Sequence, residues 1–180
     1  MRRTRVIVVG LALFVVATAT VGGFSLFGRS DDQGGRAFYF SVATKNATGA
    51  GCFQGGCFIA MFGSGTFEGT DAQGNGIFSI STGLPPSSTN SVASGTWEVT
   101  GLVSFTSYGV ANLRAEGGLL VVAVTLHFDG GSDVHATLAI TCRVGNPPPT
   151  AKEGATLAGS KFNFDTPLAG ITTFGTPTED

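Results

Sequence analysis

The stretch from Leu119 to Val144 constrains the fold more than any other part of the chain. Apolar residues alternate with polar or small ones on both sides of Asp129-Gly130-Gly131-Ser132-Asp133, a run rich in turn-forming residues. Period-two alternation puts one face of each arm in a core and the other in solvent, and two arms joined by so short a turn run antiparallel. The segment from His127 to His135 reads the same in both directions about Gly131, in residue type, at its histidines and aspartates. A hairpin closed symmetrically about Gly131 sets His127 against His135, Asp129 against Asp133 and Thr125 against Thr137. It also pairs Phe128, Leu126, Val124 and Val122 with Val134, Ala136, Leu138 and Ile140 on the opposite, apolar face.

The rest of the chain has the same grain. Phe38, Phe40 and Val42 alternate with Tyr39, Ser41 and Ala43, and Gly63 to Glu68 alternates after a continuously apolar Phe58 to Phe62, which reads as a strand covered on both faces. Ile77 to Ser81, Ala93 to Thr100 and Leu102 to Tyr108 are further strand candidates, with Phe162, Phe164 and Ile171 to Phe174 as short closing strands. Pro147-Pro148-Pro149 interrupts the pattern. Beyond the N-terminal segment no window carries a sustained helical period. Glycine reaches 28 and phenylalanine 15 of 180 residues, while charged residues are 12%, about half the usual share for a soluble domain. Eight to ten strands with frequent turn signals imply an all-β antiparallel sandwich of jelly-roll or Ig-like kind, with a small closed β-barrel as the alternative.

The N-terminus reads as an export signal. Arg2, Arg3 and Arg5 precede an apolar run from Val6 to Val16, and Ala17-Thr18-Ala19 has the small-x-small form of a signal-peptidase site. Residues 1–19 are therefore expected to be a signal peptide. The alternative is an uncleaved membrane anchor over 6–27, a run long enough to span a bilayer as one helix. A linker over 28–36, a single all-β domain over 37–176 and a tail over 177–180 follow. All 12 acidic residues and 7 of the 10 Lys and Arg lie beyond Ala19, so the mature charge is 7 minus 12, or −5. No basic face is left for a nucleic acid, and contact with the membrane is expected only through the N-terminal segment.

Cys52, Cys57 and Cys142 in an exported chain suggest one disulfide. Cys52-Phe53-Gln54-Gly55-Gly56-Cys57 looks like a loop closed by its own cysteines, leaving Cys142 buried and inert. Ser64-Gly65-Thr66-Phe67-Glu68-Gly69-Thr70 returns as Ser94-Gly95-Thr96-Trp97-Glu98-Val99-Thr100, which suggests two equivalent strands with the aromatic residue inward and the glutamate outward. The stretch Gly63-x-Gly65-x-Phe67-x-Gly69 resembles a strand motif of small barrels in the dirigent and allene oxide cyclase families. That resemblance covers seven residues and transfers no activity or site residue.

Four constellations bear on chemistry. Two imidazoles facing each other across a ladder, about 5 Å apart at their β-carbons, could share a divalent metal, so His127, His135, Asp129 and Asp133 form a candidate zinc, copper or nickel site. The competing reading makes them solvated outward residues around an ordinary turn. Glu68 and Glu98 would be a carboxylate pair if their strands were neighbours. No Gly-x-Ser-x-Gly elbow is present, and Cys142 on an apolar face is a poor nucleophile. Asn46-Ala47-Thr48 is a glycosylation sequon, which makes Asn46 a candidate acceptor. No cofactor is implied apart from that metal. The leading expectation is an exported surface or secreted domain that binds or packs against an envelope partner, with a metal-binding protein and an enzyme of unrecognised type as alternatives.

Overall fold

The computed structural model describes residues 35–46, 56–83, 91–112 and 114–175. The N-terminal segment read as an export signal, Cys52, most of the expected linker and the expected tail lie outside them. Among the described residues no helix is long and apolar enough to cross a membrane.

The described chain is all-β and antiparallel. Its strands are β1 (Arg36–Lys45), β2 (Phe58–Glu68), β3 (Asp71–Ser81), β4 (Ser91–Asn112), β5 (Ala115–Phe128), β6 (Val134–Cys142), β7 (Gly154–Gly159), β8 (Phe162–Phe164) and β9 (Thr166–Phe174). They form one sheet in the order β4-β3-β2-β1-β9-β5-β6-β7-β8, with β4 also paired to β5. Because β5 meets β9 through Glu116 and Phe174, neighbour pairing passes round six strands and returns to β1. That last join is reinforced by charge. Glu116, buried to 4% side-chain exposure, accepts a 2.7 Å hydrogen bond from Arg36 Nε at the start of β1.

Alternation works as the sequence implies. Phe38, Phe40 and Val42 point into the core, as do Leu120, Val122, Val124 and Leu126 from β5. The echoed strands also behave as expected, with Phe67 and Trp97 buried and Glu68 and Glu98 exposed. The reason for the surrounding glycines is now visible. Gly63 pairs across the ladder with Gly76, and Gly65 with Gly74. A β-carbon on Gly63 would sit 2.0 Å from the Trp97 ring, and one on Gly65 2.6 Å from the Phe38 ring. Each bare pair is thus the floor under one large ring, and Trp97 stacks on Phe40 at 5.4 Å between centroids.

Three expectations are corrected. Phe58 to Phe62 is not covered on both sides: Ile59 and Met61 are buried, whereas Phe62 is 45% exposed, because no described element overlies the outer face of β2. The two strands expected over 93–108 are one, β4, whose 22 residues would span roughly 70 Å if straight. Four register shifts along its pairing with β5 bend it instead. Third, the β5–β6 ladder is offset by two residues from the symmetric one: Leu126 pairs with Val134 and Thr125 with His135. A shift of two preserves the faces, so the apolar side stays inward, but the cross-strand partners change. The turn therefore centres on Gly130, at φ +72°, one residue before the centre of the palindrome.

Candidate functional site

The β5–β6 hairpin carries a polar cluster outside and borders a cleft inside. On the outer side, His127 is 38% exposed and stands between two carboxylates. Its Nδ1 lies 2.9 Å from Asp133 Oδ1, and its Nε2 lies 3.4 Å from Glu98 Oε1 on β4. A neutral imidazole has one N–H, so both contacts are satisfied together only by the imidazolium. The Asp133 hydrogen bond raises the His127 pKa above its ordinary value against the opposing effect of desolvation, with the Asp133 and Glu98 charges adding to the rise. His135 is paired elsewhere, with Nδ1 3.1 Å from Thr125 Oγ1. Asp129 accepts a 2.7 Å hydrogen bond from Ser94 Oγ.

These positions change the chemistry expected of the hairpin. The directly opposed imidazole pair is absent from the ladder, and among the described residues no group of three or more His, Cys, Asp or Glu is arranged to hold a metal ion. Glu68 and Glu98 lie on β2 and β4 with β3 between them, so they are not paired neighbours. Cys142 is a free, buried thiol whose Sγ–H donates to the Thr172 carbonyl at 3.3 Å. The expected Cys52–Cys57 pairing involves Cys52, outside the described residues. Asn46 is buried at 0% exposure and its backbone N–H donates to the Cys57 carbonyl, while the rest of its sequon lies outside the described residues.

The inner side holds what the sequence did not indicate. A cleft of about 380 Å³ opens where the β5–β6 turn approaches the β7–β8 turn. Ile80, Ala93, Phe128, Phe162 and Phe164 form its apolar wall. Asp129, Ser132 and Lys161 stand at its polar edge, and Lys161 is exposed on the turn Ser160–Lys161. Volume and lining fall within the range of small-molecule sites, which are mostly apolar with a few placed polar groups. Its residues come from five strands, two turns and Cys57 just before β2, so no local motif announces it.

No family model, no curated protein and no solved structure matches this chain.

Proposed function

We propose that the protein is an exported binding module that takes one small, largely apolar molecule with a polar end group into the cleft at the β5–β6 turn. The cleft is the observation that carries this reading. Its aromatic and aliphatic wall offers apolar burial to the body of a ligand, worth roughly 25 cal/mol per Å² removed from water. Ser132 and Lys161 can orient a polar or anionic end, and Asp129, already engaged by Ser94, leaves Lys161 the more available charge. We read the sheet as a small closed barrel rather than a sandwich, because pairing returns from β9 to β1. A cleft at one end of such a wall is a usual ligand position.

Native mass spectrometry of the full chain, recovered as its host exports it, tests the reading. A bound small molecule that leaves on denaturation, and is missing from an Ala93→Trp variant that fills the cleft, is the expected result. A clean mass in both proteins contradicts it. Lys161→Ala, at an exposed turn, keeps the fold and is expected to weaken retention, which guards against misfolding of the tryptophan variant.

Export rests on the arginine-plus-apolar N-terminus. Residues 1–34 fused to a reporter active only outside the cytoplasm are expected to give activity that falls when Arg2, Arg3 and Arg5 become glutamate. An inactive native fusion would remove this part of the proposal.

A further inference from the structure

Between Lys45 at one end and Glu68 and Asp71 at the other, the outer face of β9, β1, β2 and β3 has three consecutive rows without charge, two of them complementary to each other. In ladder register, Ile171, Ser41, Phe62 and Ile77 form one row across the four strands. Ala169, Ala43, Ala60 and Ser79 form the next, and Thr173, Tyr39, Ser64 and Asn75 flank the first row on its other side. None of these side chains is ionisable at neutral pH. Ile171 is 67% exposed, Ile77 59% and Phe62 45%, and a shallow trough of about 190 Å³ runs beside them over Ser41, Ala60 and Ser79. A ridge of large apolar groups thus lies next to a furrow of small ones, one step of about 7 Å along the strands.

We propose that this face is the contact between two copies of the chain, related by a two-fold axis that lies in the interface, runs across the strands and passes between ridge and furrow. That operation lays each strand on its own copy and exchanges the two rows. Phe62 meets the partner's Ala60, Ile77 meets the partner's Ser79, and Ile171 meets the partner's Ala169, so every large group enters a place left by a small one. An isologous interface requires this self-complementarity, whereas a foreign partner does not. Charge points the same way. The chain is net acidic, so two copies repel except where charge is absent, and here three consecutive rows are free of it.

Four strands by the two rows that meet cover about 260 Å² of each copy before side-chain relief is counted. This is under the area of standard stable interfaces, so the dimer is weak, with dissociation at roughly tens of micromolar or above. Sedimentation velocity of the full exported chain, from roughly micromolar to hundreds of micromolar, tests it. Wild type is expected to shift from monomer toward dimer with concentration. Ile77→Lys, an exposed change expected to leave the melting curve unaltered, weakens association at least tenfold. Ser79→Asp does the same, and mixing the two variants restores a mixed dimer, because the introduced lysine and aspartate meet across the axis. A wild type that remains monomeric throughout, an association that survives Ile77→Lys, or two variants that do not combine would each overturn the proposal.

Discussion

Replacing Gly63 by alanine tests the glycine floor under Trp97, and its cost can be worked from distances. The added β-carbon would lie 2.0 Å from Trp97 Cζ2 and 2.6 Å from the Asn75 carbonyl oxygen, where carbon contacts settle near 3.5 to 4.0 Å. The ring must move by more than about 1 Å, yet it is 1% exposed, stacked on Phe40 and tied through Nε1 to the Phe62 carbonyl at 3.2 Å. The Asn75 oxygen cannot retreat without opening the ladder between β2 and β3. Overpacking costs about 1–3 kcal/mol and loss of the indole hydrogen bond adds about 1, for a total of roughly 3 kcal/mol. In a domain of this size that lowers the melting temperature by about 10 °C. Gly101→Ala is the control, since nothing lies within 4 Å of its would-be β-carbon, and it should be neutral or stabilising by about 0.5 kcal/mol. Calorimetry on the two variants decides. Equal melting temperatures would refute the idea that the glycines are there to admit the ring.

Three further outcomes follow. His127, with its pKa raised, contributes stability that is fully present below the ordinary value of 6.5 and is lost as pH rises through the folded value; Asp133→Asn should return the titration toward 6.5 by NMR, and an unchanged curve would dismiss the ion pair. Arg36→Met leaves the buried Glu116 carboxylate without its guanidinium and should cost about 2 kcal/mol by denaturant unfolding, less than a fully buried pair because Arg36 is one-third exposed; a loss under about 0.5 kcal/mol would show that the β5–β9 join does not depend on it. For the disulfide expected between Cys52 and Cys57, alkylation without reductant should label Cys142 alone, and only after denaturation, so labelling of three thiols would exclude the pairing.

How far the sequence could be read depends on where each signal resides. Period-two alternation is a local consequence of one covered face, so the inward residues of β1, β5 and β6 and the orientation of Phe67 and Trp97 were legible. The first half of β3 was not, because Gln73-Gly74-Asn75-Gly76 has turn-like residues whose strand role depends on rings from β1 and β4. β7 was hidden similarly, since Gly154-Ala155-Thr156-Leu157 carries little alternation and owes its place to β6. The hairpin's faces could be read but its register could not, because a shift of two residues keeps the same alternation on each face. That shift leaves a histidine flanked by carboxylates where the symmetric register sets two imidazoles face to face. The cleft, assembled from distant residues such as Ile80, Ala93 and Phe164, left no mark that a single strand could show.

The measurement that tests the central claim most directly is a fluorescence titration of the full chain with 1-anilinonaphthalene-8-sulfonate, an apolar ring system with one anionic group. The cleft reading predicts saturable enhancement at about one site per chain, lost in Ala93→Trp, weakened in Lys161→Ala and retained in Phe62→Glu, which alters only the outer face. Enhancement that survives Ala93→Trp and vanishes in Phe62→Glu would place the binding on the sheet face, and no enhancement in any variant would contradict a ligand cleft at the β5–β6 turn.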